Sequence, residues 1–213
     1  MRALTLRLGR HLAAGGLLAA AMLLGTASAS RATLVVNDWL NAGDGLLTLD
    51  TDTQLLWLDW TEATSLSVNQ VMAQLGAGGS FEGFRYATVA EVHAFYSNAG
   101  IPNVPGITAA NLLPVQNLLA IVGLTAPANA FGPASSAWTA DSSGGNRIQG
   151  VLQDRNDDLG QATTNGISGF DDDFAAVNWG HALVQVVPEP SAGALLLLGL
   201  LGLGVARRRR PGG

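Results

Sequence analysis

Apolar and polar positions alternate in short runs through the first third of the chain, and turn residues break the runs apart. Residues 32–40, rich in Thr, Val and Leu, predict a strand. Asn41-Ala42-Gly43-Asp44-Gly45 predicts a turn from its Gly and Asn/Asp content. Residues 46–50 predict a second strand, and Thr51-Asp52-Thr53 a second turn. Residues 55–60 differ. Leu55 and Trp57 fall on one face and Leu56, Leu58 and Trp60 on the other, so this run predicts a central strand with protein on both sides.

The period then changes from two to 3.6. Ser67-Val68-Asn69-Gln70 and Thr88-Val89-Ala90-Glu91 are capping boxes: the hydroxyl accepts from a free N–H at the helix start, and Gln or Glu reaches back. They predict a helix over 68–75 with Val71, Met72 and Leu75 inward, ending at Gly76. A second helix is predicted over 89–98, with Val92, Phe95 and Tyr96 inward and a stop at Gly100. Thr108 can cap a third over 109–122, kinked or split at Pro114 and ended by Gly123. Residues 124–136 predict a loop, 137–139 a short strand, 141–145 a turn, 148–153 a half-exposed strand and 182–187 a closing strand.

Both ends of the chain depart from this mixed pattern. Residues 1–29 have the three parts of a secretory signal: Arg2, Arg7 and Arg10, an apolar run over 12–24, and the small-x-small site Ala27-Ser28-Ala29, with cleavage at Ala29. An uncleaved anchor helix is the alternative, for which the apolar run is short. Residues 192–206 carry no charge, and Leu alternates there with Gly. Fifteen helical residues reach about 22 Å, against a hydrocarbon core of about 30 Å. Snorkelling by flanking Arg and local thinning close that gap. Arg207, Arg208, Arg209 and Arg210 act as the membrane stop and place the bulk of the chain on the far side. A buried core helix with a solvated basic tip is the bland alternative, but such a helix has a polar face and this run has none.

Before the apolar run stand Val187, Pro188, Glu189 and Pro190. The two prolines force an extended, helix-free stretch. Val-Pro-Glu-Pro, a short Gly/Leu span and a terminal Arg cluster, in that order, resemble the PEP-CTERM sorting signal of Gram-negative bacteria. The resemblance implies export by a Sec-type machinery and recognition by exosortase, a membrane transpeptidase that cuts near the motif. It implies an inner-membrane stage with a periplasmic domain, then the cell surface or the extracellular space. It also implies an association with biofilm and exopolysaccharide. The chain is thus expected to divide into a signal peptide (1–29), an exported α+β domain (30–187) and a sorting tail (188–213).

A second resemblance covers the exported part. Asp52-Thr53-Gln54-Leu55-Leu56-Trp57-Leu58-Asp59, a short helix, then Gly83-Phe84-Arg85-Tyr86-Ala87-Thr88-Val89-Ala90-Glu91 resemble a recurrent bacterial exported module, the Lcl-type C-terminal domain, with Phe84 in place of its usual Trp. Trp138-Thr139 and residues 182–187 match its later strands more loosely. The resemblance implies a C-type-lectin-like fold, a twisted antiparallel sheet with two or three helices. The signal helix and the C-terminal transmembrane helix would be added to it. Arg85 and Glu91 are placed to pair across the strand-to-helix turn.

Charge narrows the function. The chain has no Lys and no Cys. Residues 30–187 hold four Arg against fifteen Asp and Glu, a net charge of −11. Such a domain repels phosphate backbones, which argues against nucleic acid and leaves cations, basic surfaces or neutral glycans. Solubility alone also explains the excess. The absence of Cys excludes thiol catalysis and Cys-based metal sites. No G-x-S-x-G elbow, H-E-x-x-H motif or P-loop occurs.

Two acidic clusters are weak calcium candidates: Asp154, Asn156, Asp157 and Asp158, and Asp171, Asp172 and Asp173. Calcium takes six to eight oxygens, but neither cluster follows the EF-hand spacing, and solvated loops explain both. His93 and His181 have no second ligand at metal spacing and read as surface or boundary residues. Trp60 and Trp179, beside polar neighbours, are candidates for stacking on a ligand. The sequence therefore favours a non-catalytic binding protein, with no cofactor unless it is calcium. A polysaccharide hydrolase with an Asp pair is the alternative.

Overall fold

A computed structural model of the chain describes residues 33–144, 146–166 and 170–187. The signal segment with Ala27 and Ala29 lies outside them, as do Pro188, Glu189, Pro190, the tail helix and Arg207 to Arg210. Among the described residues no helix is long and apolar enough to cross a membrane.

The fold is α+β, with two five-stranded sheets where a single antiparallel one is expected. The first sheet joins β1 (Leu34–Asn37), β2 (Leu47–Asp50), β3 (Leu55–Leu58), β10 (Leu183–Val186) and β4 (Arg85–Tyr86), in that order and all antiparallel. β3 is its central strand, as its two apolar faces predict. Leu55 and Trp57 enter one core with Phe95, Val115, Leu118 and Leu152. Leu58 enters a second, on the opposite face, with Val68, Val71, Phe81 and Leu183. Trp57 stacks on Phe95 with ring centres 4.2 Å apart.

The second sheet takes the order β5 (Gly106–Thr108), β8 (Gly160–Gly166), β7 (Asn146–Asp154), β6 (Ala134–Ser143) and β9 (Gly180–His181). β9 runs parallel to β6, so this sheet is mixed. β6 is far longer than the three residues expected, and residues 141–143 belong to it rather than to a turn. Its polar half is held by the start of α2 (Val89–Asn98) and the residues leading into it: the Ala140 N–H donates to the Ala87 carbonyl at 2.8 Å, and the Asp141 carboxylate accepts from the Val89 N–H at 2.6 Å. β7 is not half-exposed either. Residues 149–153 are all buried, because β7 lies between two strands and under α2 and α3 (Leu112–Val122).

Both capping boxes form, at Ser67/Gln70 and Thr88/Glu91. The first helix, α1 (Val68–Met72), stops three residues short of the expected end, which leaves Met72 54% exposed rather than inward. α2 has the expected bounds and buries Val92, Phe95 and Tyr96. Gly100 follows it with φ +85°, a conformation that suits Gly at a helix stop. Thr108 caps a 3-10 turn (Ala109–Asn111), and the break falls there rather than at Pro114. Pro114 sits in the first turn of α3, where the N–H it lacks would have no intrahelical partner.

Candidate functional site

The segment carrying Asp171, Asp172 and Asp173 lies against the chain around α1. The Ser65 N–H donates to the Ala176 carbonyl and the Asn69 N–H to the Asp172 carbonyl, both at 3.0 Å. The Asn69 side chain donates to Asp173 Oδ1 at 2.7 Å. Asn69 lies in the first turn of α1, so the Asp172 carbonyl satisfies one of the free helix-start donors. The same segment brings Trp179 into an aromatic group. Its ring meets Trp138 and Phe170 edge-on, each with centres 4.9 Å apart, and Phe174 at 5.6 Å. Trp179 is therefore half-buried, one side committed to its neighbours.

Arg147, at the start of β7, ties this face to the interior. Its Nε donates to Asp172 Oδ1 at 3.0 Å and its Nη2 to Asp172 Oδ2. Its Nη1 donates to the Thr139 and Ala140 carbonyls at 3.2 and 3.3 Å. The guanidinium carbon lies 5.9 Å from the centre of the Tyr86 ring, within cation–π range. Beneath it the Tyr86 hydroxyl and His181 Nδ1 are 2.6 Å apart, and His181 Nε2 lies 3.1 Å from the Leu66 carbonyl oxygen. A carbonyl only accepts, which assigns the proton to Nε2 and leaves Nδ1 to accept from Tyr86. Burial pushes the His181 imidazole down to about 4; the Arg147 charge acts in the same direction and the Leu66 hydrogen bond opposes it. Burial also pushes the Tyr86 hydroxyl up. A concavity of about 410 Å³ opens above, lined by Ala140, Ser142, Arg147, Phe170, Asp171 and Asp172.

His181 is therefore no boundary residue: it is 1% exposed and holds two hydrogen bonds inside the fold. Trp60 is no stacking surface either, with 0% of its area exposed. The chain leaves β3 at Asp59 for a 3-10 turn (Trp60–Ala63), which turns the indole into the first core beside Tyr96. Gly180 makes that turn fit, since a Cβ there would run into the Trp60 carbonyl. His93 is half-buried, with Nε2 3.2 Å from Thr164 Oγ1, and burial lowers its pKa.

The other acidic cluster lies at the far end of β7, seven residues beyond Arg147 and so about 23 Å away. Gln116 Nε2 donates to Asp154 Oδ2 at 3.0 Å, Asn156 Nδ2 donates to the Ala130 carbonyl at 3.0 Å, and Arg155 grips Asp157 with two hydrogen bonds. Asp158 takes φ 60° in the turn. Asp154 is thus tied to α3, Asn156 to the chain at Ala130 and Asp157 to its own turn, and among the described residues no three His, Asp or Glu groups converge as a metal site would.

Sequence reasoning passed over Arg147, Tyr86, Phe170 and Phe174. The scarcity of Arg in residues 30–187 was the available signal, since four cations must serve fifteen acids. It also passed over Asp59. Burial, with the charges of Glu62 and Asp44 adding, pushes its carboxyl up to about 7, and its Oδ1 has no hydrogen-bond partner. Asp44 stands at the other extreme: the N–H of Trp39 first, then those of Asn41, Leu40 and Leu46, hold its carboxyl down to about 2. Carboxylates with such different environments are what acid–base chemistry uses. Here, though, all four N–H groups close a single turn around Asp44, which gives that carboxylate a structural task. Arg85 and Glu91 pair as expected, at 2.6 and 2.9 Å, and Arg85 holds the Glu91 carboxyl down to about 2.

The second candidate region is the end of β10. Val184, Gln185 and Val186 pair with Trp57, Leu56 and Leu55, and the Val187 N–H donates to the Gln54 carbonyl at 3.0 Å. The chain enters the same end of this sheet at Thr33, whose carbonyl accepts from the Thr51 N–H at 3.2 Å. The profile of the PEP-CTERM protein-sorting motif matches residues 186–210. The match begins on the last residue of β10 and gives the chain a sorting signal, with the export and exosortase processing that this motif implies. No curated protein matches the chain, and no solved structure matches it.

Proposed function

We propose that this is an exported, exosortase-processed protein of the surface or extracellular matrix of a Gram-negative bacterium, and that its domain binds rather than catalyses. The observation that carries the reading is the junction at Val186, where the sheet ends and the sorting motif begins. On this reading a Sec-type machinery exports the chain and the tail holds it in the inner membrane with the domain in the periplasm. Exosortase then moves it to the surface or beyond, among extracellular polysaccharide and biofilm components.

The likeness to C-type-lectin-like modules belongs to this reading. It is supported by two capped helices that follow β3 and by the pairing of β3 with β10, the last strand. The binding face is the concavity at Arg147. The Phe170 ring in its lining suits the apolar face of a sugar ring or a protein side chain, and Arg147 with Asp172 offers donors and acceptors to hydroxyls. Hydrolysis by an Asp pair lacks comparable support, because Asp44 is spent on its own turn.

Replacing Pro188, Glu189 and Pro190 together by Ala and fractionating the cells tests the sorting. The variant should accumulate in the inner membrane as the uncut form. Unchanged surface display and release would remove the basis of the proposal.

A further inference from the structure

Among the described residues the two sheets end on four edge strands, and these are not alike. β4 and β9 are two residues long and β5 three, too short to template a further strand. β1 is the longest, Leu34-Val35-Val36-Asn37, and has no Pro and no charge to blunt it. Val35 and Val36, on opposite faces, are 42% and 55% exposed. The ladder with β2 fixes which backbone groups are spare. The Thr51 N–H donates to the Thr33 carbonyl, so Thr33–Thr51, Val35–Leu49 and Asn37–Leu47 are the hydrogen-bonded pairs. The N–H and C=O of Leu34 and Val36 therefore point outward, and among the described residues no strand pairs with them.

We propose that β1 pairs with β1 of a second copy, antiparallel about a two-fold axis at Val35. Leu34 of each copy then faces Val36 of the other, and the two pairs use every spare N–H and C=O on both strands. Val35 meets its own mate at the centre. Charge favours a second copy over a basic peptide. Residues 30–187 carry a net charge of −11, so two domains repel and approach only where no carboxylate faces the seam. Residues 33–37 are uncharged, and the next residue, Asp38, spends Oδ1 on the Gly45 N–H at 3.1 Å. A basic strand would find no acid within the seam to pair with. Four residues a side bury less than the roughly 1,200 Å² of a stable interface, so the pair forms when copies are concentrated. This pairing is independent of the sorting signal.

The chain has no Cys, so an introduced one reports on the seam alone. At the axis the two Val35 positions form a non-hydrogen-bonded pair with Cα atoms about 4.5 Å apart, within disulfide reach. The two Val36 positions are offset by two residues along the seam and lie about 8 Å apart, beyond that reach. Full-length chain purified in detergent, concentrated and treated with a mild oxidant, should give a disulfide dimer from Val35→Cys and little from Val36→Cys, although Val36 is the more exposed. Light scattering of the unsubstituted chain should show the mass rising towards twice the monomer with concentration, and further with added salt, which screens the like charges. No dimer from Val35→Cys, or equal cross-linking by the two variants, overturns the two-fold register. An unsubstituted chain that stays monomeric to millimolar concentration overturns the pairing itself. A dimer that salt dissolves overturns it too, since attraction between charges would then hold the copies.

Discussion

The two acidic turns at opposite ends of β7 look alike in sequence and differ in what holds them. Asp172 and Asp173 are fastened through Arg147 and Asn69 to parts of the chain far away in sequence, and Arg147 continues inward to Tyr86 and His181. Asp154 and Asn156 are fastened by one hydrogen bond each, to Gln116 and the Ala130 carbonyl, and the ion pair of Asp157 with Arg155 spans two residues. An acidic run is thus no guide to its own worth. What decides is whether the cation opposite is buried: the Arg147 side chain is 15% exposed and that of Arg155 is 28%.

The largest expected effect separates those two arginines. Arg147→Met removes two bonds to Asp172, leaves the Thr139 and Ala140 carbonyls without a donor, and takes the cation off the Tyr86 ring. Breaking a partly buried pair of this kind costs about 3 kcal/mol, less than a fully buried pair because Asp172 reaches solvent. In a domain of this size that lowers Tm by roughly 6–12 °C. Arg155→Met should leave Tm unchanged, as for most exposed pairs. Thermal unfolding of the two variants side by side is the check, and equal losses would break the distinction between the turns.

A smaller effect comes from the group beneath Arg147. The folded-state pKa of His181 is lowered from 6.5 to about 4, so the folded protein binds fewer protons than the unfolded chain between those values. Its stability contribution is fully present above pH 6.5 and is lost as pH falls through about 4. Asp59 acts with the opposite sign. Its pKa is raised from 3.8 to about 7, so falling pH favours the folded state through that group. Asp59 is only half-buried, and its share is discounted accordingly. Glu91, lowered from 4.5 to about 2, contributes only below pH 4.5. Between pH 6.5 and 4.5 the His181 and Asp59 slopes oppose each other and partly cancel in the wild type. His181→Leu removes the loss, so stability should rise toward acid relative to the wild type. A variant whose denaturant midpoint tracks the wild type across this window would place the imidazole in water rather than in the core.

What could be read in advance was what short segments decide for themselves. The two capping boxes and the bounds of α2 depend on residues three or four apart, and they formed as expected. The two-faced character of β3 was visible because both faces lie within four consecutive residues. The misses depend on partners far away in sequence. Nothing near His181 announces that it will donate to Leu66, or that Tyr86 will cover its other nitrogen. Trp60 looks like the next outward residue of a strand until Gly180 leaves room for a turn there. Met72 was placed inward by a helical period that lapses when α1 ends after five residues. The site suffered in the same way: Trp179 and the three Asp were visible singly, but the Arg that ties Asp172 to the interior was not.

The smallest expected effect is that of calcium, and it bears on both turns at once. A site at the weak end of extracellular modules, with Kd of about 1 mM, would stabilise the fold by about 1 kcal/mol at 5 mM ion. Such a site needs several carboxylate and carbonyl oxygens pointed at one spot. In the first turn Asp172 is turned to Arg147, Asp173 to Asn69, and Asp171 Oδ1 accepts from the Asp173 N–H. In the second, Asp157 is turned to Arg155 and Asp154 to Gln116. Rearranging either set would cost contacts the ion must first replace, and for the first turn that cost includes the Arg147 pair. Unfolding of the purified protein in 5 mM calcium and in chelator should therefore give the same midpoint. A rise with calcium that Asp157→Asn abolishes and Asp172→Asn does not would assign the ion to the loosely held turn. That result would reverse the contrast, making the turn with fewer internal ties the one that holds a ligand.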